Sequence, residues 1–226
     1  VNQMQFGKNE DYDHYPRDFE RNKKLAEEAG VDFLFHPSVE EMYPTKMAMK
    51  VVVEEGVDVR CGKSRTGHFD GVATVGLKLF NIVEPTKAYF GMKDAQQVAV
   101  IEKLVRDFNL PVQIVPCPTL REEDGLAKSS RNVNLTEQER KEAPYIYRSL
   151  KLAEQLILAG EKEVAVIKER IRQLLLENTS GKIDYIEILS YPELKTLTHI
   201  HGKIIIAVAY YYSKARLIDN IVINCK

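Results

Sequence analysis

The stretch Pro118-Thr-Leu-Arg-Glu-Glu-Asp-Gly-Leu-Ala-Lys-Ser-Ser-Arg-Asn132 separates two regions of different pattern in the 226-residue chain. Before it, apolar runs with strand character alternate with helical periodicities. Helices are expected over residues 17–29, with Phe19, Leu25 and Ala29 facing inward and Gly30 as the stop, and from a cap at Asp70 through Val72, Val75, Leu79 and Ile82. A further helix is expected over 93–108, with Val98, Ile101, Leu104, Val105 and Phe108 on one side. Strands are expected at 31–35, 87–91 and 112–117, a helical turn at 37–43 and an extended run at 47–53. This alternation predicts an α/β region built on a parallel sheet with helices on its faces.

Beyond the quoted stretch the order changes. Thr136 and Glu139 have the spacing of a capping box, opening a helix toward Ala159 that Pro144 should kink or delay. A helix over 164–177 carries Val164, Ile167, Ile171, Leu174 and Leu175 on one face, and three strand-like runs follow at 183–189, 203–212 and 215–223. Helices followed by strands predict a smaller α+β domain. The expected division is 1–119 and 120–226.

The end of the quoted stretch, Lys128 to Asn132, places two cations, two hydroxyls and an amide in five residues. Arg offers a planar fork to phosphate oxygens, Lys a point charge and the hydroxyls neutral donors, so the loop suits a polyanion. A solvated surface loop has the same composition. The turn Gly91-Met-Lys-Asp-Ala-Gln-Gln97 joins a strand to a helix, where backbone N–H groups and a positive dipole end collect ligands. Gly91 allows close approach, Lys93 can neutralise phosphate, Asp94 can cap the helix or accept from ribose, and Gln97 faces the same mouth. An ordinary strand-to-helix turn with a capping Asp reads equally well.

Composition narrows the partners. Lys plus Arg number 32 against 33 Asp plus Glu, a formal charge of -1, so no global field draws nucleic acid or anionic lipid. Cys61, Cys117 and Cys225 have no C-x-x-C spacing, which fits reduced thiols and a cytoplasmic location. No apolar run has membrane-spanning length. His199 and His201 alternate without a third ligand nearby in sequence, His68 reads as a loop-shaping residue, and no metal site is expected. Cys61 lies in a basic loop over 60–71, and residues 8–16 read as an exposed aromatic loop.

Taken in order, several segments resemble the pantothenate synthetase family: Val1-Asn-Gln-Met-Gln-Phe6, Asn9-Glu-Asp-Tyr-Asp-His-Tyr-Pro-Arg17, Gly67-His-Phe-Asp-Gly-Val-Ala-Thr74 and Lys78-Leu-Phe-Asn81. The resemblance continues through Ala88-Tyr-Phe-Gly-Met-Lys-Asp-Ala-Gln-Gln97, Asp124-Gly-Leu-Ala127, Ser129-Ser-Arg-Asn132 and Arg216-Leu-Ile-Asp-Asn220. It implies a Rossmann-like adenylating domain with a smaller lid domain, a homodimer, and ligation of pantoate to β-alanine. ATP, accompanied by Mg²⁺, would activate pantoate as pantoyl adenylate with loss of pyrophosphate, and β-alanine would then displace AMP.

By motif position the resemblance implies that Asn2, Gln5 and Gln97 bind pantoate, with Gln5 also near β-alanine. Gly91, Lys93, Asp94, Leu120, Lys128, Ser129, Ser130 and Arg131 would bind ATP, and Lys93, Ser129, Ser130 and Arg131 would carry the catalytic charge. Lys128 departs from the family's apolar residue, Gln3 stands where Pro is usual, and Tyr210-Tyr-Tyr-Ser-Lys replaces a Gly-Lys-Thr type of strand end. The resemblance also implies a preceding strand-helix-strand unit with a His-x-Gly-His segment, so this chain is expected to be a fragment of an active enzyme that, starting at Val1, binds ATP poorly and turns over slowly or not at all. A silent nucleotide-binding or assembly module is the alternative of a different class.

Overall fold

The computed structural model describes residues 2–6, 12, 15, 17–55 and 67–225. Helix α1 spans Phe19–Glu28, capped by Asp18, and α2 spans Val39–Met42, where Ser38 and Glu41 form a reciprocal capping box. Helix α3, His68–Val83, leads to β1, Lys87–Gly91. A 3-10 turn, Met92–Asp94, feeds α4, Ala95–Asp107, which precedes β2, Gln113–Cys117. Strands β1 and β2 pair in parallel, Lys87 opposite Gln113 through Gly91 opposite Cys117, so α4 is the crossover of a βαβ unit.

Beyond the linking stretch come α5, Glu137–Glu142, α6, Pro144–Leu158, and α7, Val164–Asn178. The capping box at Thr136 forms in both directions, and Pro144 occupies the first turn of α6, where its missing N–H costs nothing. One expected helix is therefore two. Strands β3, Lys182–Ser190, β4, Gly202–Tyr211, and β5, Arg216–Cys225, form a separate antiparallel sheet in sequence order.

That sheet has two covered faces. On one, Ile186, Ile188, Ile204, Ile206, Val208 and Leu217 pack against α6 and α7 through Ile146, Leu150, Ile167, Ile171 and Leu175. On the other, Leu189 and Ile205 meet Ala95 and Ala99 of α4. Central β4 is buried from Ile204 to Tyr210, which explains its continuous apolar run. Helix α4 is thus packed between α3 and the antiparallel sheet, and its small Ala face permits the second contact.

Several expectations change. Residues 31–35 form no strand: no ladder partner stands beside them among the described residues, and Phe33 is 92% exposed. Helix α1 buries none of its residues, so among the described residues Phe19 and Leu25 join no core cluster, and Phe19 stands against the His36 ring at 4.3 Å between centroids. The expected strand at 87–91 forms as β1, with exposed and half-buried positions alternating, and Phe108 is exposed beyond α4.

The buried stripe of α3 runs through Phe69, Val72, Ala73, Gly76 and Phe80, leaving Ile82 exposed. Gly76 belongs to that stripe because Ile101 Cδ1 lies 3.0 Å from where a Cβ would sit. Among the described residues Asp70 caps nothing: Gly67, at φ +77°, opens α3, while the Asp70 carboxylate accepts from Val53 N and Lys50 Nζ, each at 3.0 Å. With Thr74 Oγ1 accepting from Val51 N, α3 side chains satisfy the extended run 47–53. Cys61 and most of the aromatic loop 8–16 lie outside the described residues.

Candidate active site

Three local structures meet at the carboxyl end of β1. In the first, Asp94 Oδ1 accepts from Gln97 N at 3.1 Å, fixing the start of α4 and setting Lys93, Asp94 and Gln97 around its first turn. The second is the linking stretch. An antiparallel bridge between Arg121 and Ala127 closes a tight loop, with Gly125 at φ +93°, and Lys128 N donates to Leu120 O at 2.9 Å. Ser129 then caps a 3-10 turn, Ser130–Asn134, which carries Arg131.

The third is the 3-10 turn Gln3–Gln5, capped by the Asn2 side chain. Asn2 Nδ2 donates to Gly71 O at 3.3 Å, and Tyr43 Oη donates to Asn2 Oδ1 at 2.8 Å. His68, buried at the start of α3, has Nδ1 2.8 Å from Gln5 O. A carbonyl only accepts, so Nδ1 carries the proton. The turn therefore lies directly on the N-terminal end of α3, and Gly71 makes that approach possible.

Together with β5 these structures enclose a cavity of about 350 Å³. Of the residues singled out from sequence, Asn2, Gln5, Lys93, Asp94, Gln97, Ser129 and Arg131 line it. Gly91, Leu120, Lys128 and Ser130 do not. Gly91 has open space where a Cβ would be, Leu120 is exposed, and Lys128 Nζ lies 3.8 Å from Glu122 because the loop closure brings them side by side. Ser130 Oγ donates to Tyr15 Oη at 3.1 Å, and Tyr15 itself lines the cavity beneath the Arg131 guanidinium.

Polar lining residues that were assigned no ligand from sequence include Tyr15, His68, Asn132, Arg216 and Asp219. Arg216 and Asp219 stood within a recognised motif, and a charged pair inside an apolar strand run was the available signal. Arg216 is held by Asp184 at 2.7 and 3.0 Å. Asp219 accepts two hydrogen bonds from Arg121, at 2.6 and 3.0 Å, and Arg121 stacks on Tyr147 with its guanidinium carbon 3.6 Å from the ring centroid.

Burial lowers the Lys93 ammonium from its ordinary pKa; Arg131 acts in the same sense, and Asp94 and Asp219 oppose. Burial raises the Asp219 carboxyl against the opposing Arg121 bonds. Lys93 and Arg131 thus repel across the cavity, which an entering polyanion would relieve. Elsewhere, His199 Nε2 pairs with Glu163 at 2.8 Å on the surface.

Comparison with known proteins gives a consistent result. Residues 1–222 match the family described as Pantoate-beta-alanine ligase. The pantothenate synthetase of Halalkalibacterium halodurans is 60% identical over 223 residues, covering 99% of this chain and 79% of the relative. That of Caldicellulosiruptor bescii is 57% identical over 226 residues, covering 100% and 80%. The crystal structure of the Thermus thermophilus pantothenate synthetase superposes with a TM-score of 0.93 at 45% identity, covering 97% of this chain and 80% of that one. A Francisella tularensis pantoate-beta-alanine ligase, solved as a complex with beta-gamma ATP and beta-alanine, gives a TM-score of 0.76 at 33% identity, covering 98% and 76%.

Proposed function

The chain belongs to the pantoate–β-alanine ligase family, and on that premise we propose that its cavity binds ATP, pantoate and β-alanine and joins the two acids through pantoyl adenylate. The observation that carries this reading is the convergence of Lys93 and Arg131 with Gln5 and Gln97 around one cavity. Cations suit the triphosphate, and neutral amides suit the hydroxyls and carboxylate of pantoate.

In the first step a pantoate carboxylate oxygen attacks the α-phosphorus of ATP and pyrophosphate departs. In the second the β-alanine amine attacks the acyl carbon, AMP leaves with the bonding electrons, and the amine loses a proton. The nucleophiles belong to the substrates, so the protein's work is alignment and charge neutralisation. Lys93 and Arg131 would hold the phosphates, with Ser129 beside them and Asp94 near the ribose. Asn2, Gln5 and Gln97 would hold pantoate, and Gln5 also β-alanine.

Gly91, Leu120, Lys128 and Ser130 would reach ATP through backbone groups or after movement of the linking stretch. Mg²⁺ fits as an ion carried by ATP: Asp94 offers one carboxylate, both Asp219 oxygens already accept bonds, and no cluster of three potential ligands stands among the described residues. It would offset phosphate charge when bound.

We assign residues 1–119 to the nucleotide- and pantoate-binding domain and 120–226 to the lid domain. The reading includes a homodimer, which light scattering checks, and a cytoplasmic setting. Nothing among the comparisons supports the silent-module alternative.

The test is AMP release from ATP in the presence of pantoate and β-alanine. AMP formation requiring both acids is expected, and Lys93→Ala or Arg131→Ala should lower it about a hundredfold or more. ATP binding with no AMP would refute the reading.

A further inference from the structure

Asp219 and Asn220 are consecutive residues of β5, so their side chains leave opposite faces of the sheet. On the face covered by α6 and α7, Asp219 accepts from Nη1 and Nη2 of Arg121, the residue that closes the loop leading to Ser129 and Arg131. On the face toward α4, the Asn220 amide donates to Met92 O and to Lys93 O, each at 2.9 Å. Asn220 N meanwhile donates to Asp219 Oδ1 at 2.8 Å, so the two side chains form one continuous network.

An amide NH₂ has two protons, and both are spent on the carbonyls of the lysine turn. Asp in its place would present oxygens to oxygens, and an apolar residue would leave both carbonyls short of a donor. Asn220 is buried, which excludes water as an easy substitute. One strand therefore grips the two cation-bearing segments at once, the turn of Lys93 by Asn220 and the loop of Arg131 through Asp219 and Arg121.

We propose that Asn220 is a positioning residue for Lys93: its amide fixes the backbone of the lysine turn against β5, holding the ammonium in the cavity that Arg131 also lines. The proposal rests on the assignment of Lys93 to ATP. It gives the Asp-Asn pair of the 216–220 motif a function that strand formation does not require, since β5 is already held by its ladder with β4.

The test is a double-mutant cycle on binding of the β,γ-methylene analogue of ATP, measured by calorimetry, and on AMP release. Asn220→Ala should weaken analogue binding about tenfold and lower kcat roughly ten- to a hundredfold, because displacement of a catalytic group by about 1 Å has effects of that size. The KM for pantoate should change by less than about twofold. Asn220→Ala in a Lys93→Ala background should add almost nothing, since a residue acting through Lys93 loses its effect when the ammonium is gone.

Val222→Ala removes apolar packing from the same face of β5 and serves as the stability control. It should match any fall in Tm while leaving analogue binding unchanged. Independent, additive losses from Asn220→Ala and Lys93→Ala overturn the proposal with the ATP reading intact, as does an equal loss from Val222→Ala. No effect of Lys93→Ala, or no analogue binding by the unsubstituted chain, overturns the ATP reading and the proposal with it.

Discussion

Gly71→Ala should separate helix stability from pantoate binding. A Cβ at Gly71 would stand 2.0 Å from Met4 O, 2.4 Å from Met4 C and 2.9 Å from Gln5 N, all backbone atoms. Restoring an ordinary contact of 3.4 Å requires the Met4 carbonyl to retreat by about 1.4 Å. Gln5 follows Met4 in the same 3-10 turn, so its amide leaves the cavity wall by a similar distance. A misplacement of that size costs about a hundredfold in rate. The helix itself gains, since Ala inside a helix is favoured over Gly by about 0.5–1 kcal/mol.

The expected result is a pantoate kcat/KM lowered about a hundredfold, with a Tm unchanged or up by roughly 1–3 °C. Gly76→Ala is the control on the same helix: its Cβ would meet side-chain ends and no backbone, Ile101 Cδ1 at 3.0 Å and Leu104 Cδ2 at 3.6 Å, and activity should be kept. Steady-state kinetics with varied pantoate, beside a thermal melt, makes the measurement. A Gly71→Ala kcat/KM within threefold of the unsubstituted chain would refute the docking of the Gln5 turn on α3 as the source of its position.

Three further outcomes follow from the packing. Arg121→Ala leaves the buried Asp219 carboxylate without its guanidinium and should lower stability by about 3–5 kcal/mol in urea titrations; a loss under about 1 kcal/mol would contradict the paired geometry. Hydrogen bonds from Thr136 N and Ser213 N lower the Glu139 pKa from 4.5 to about 2. An acid with a depressed folded-state pKa stabilises above pH 4.5 and ceases to do so as pH falls through about 2. The stability gap between wild type and Glu139→Gln, about 2 kcal/mol near neutrality, should therefore close across that window; a gap constant with pH would exclude the mechanism. Tyr212 Oη is buried with no hydrogen-bond partner among the described residues, so Tyr212→Phe should raise stability by about 1 kcal/mol in urea titrations, and a decrease would show a partner for that hydroxyl.

Element types were legible where periodicity and caps agreed. The α7 stripe, the Thr136 capping box, the break at Pro144 and the three strands of the antiparallel sheet follow from local pattern. Pattern misled where a residue's partner is remote. Residues 31–35 have strand composition, but strandedness is a property of a pair. Asp70 has the chemistry of a cap and serves Val53 instead, because Gly67 already opens α3. Gly76 is silent in any hydrophobicity count although it sits in the buried stripe.

The site divides in the same way. The charged residue types of the turn after β1 and of the loop after β2 marked them as anion-binding candidates, and Asp94 caps α4 as its position suggested. Which of those side chains share a cavity depended on tertiary structure. Loop closure by Arg121 and Ala127 turns Lys128 toward Glu122 while Arg131 faces Lys93, and residues adjacent in sequence thereby part company. His68 and Asp219 join the cavity through contacts 63 and 98 residues distant, with Gln5 and Arg121. By itself the sequence determined the order of elements, the two cationic segments and the family motifs, because caps, turns and periodicities are short-range physics. Only the tertiary structure decided which groups meet, because burial, pairing and shared field depend on packing between elements distant in the chain.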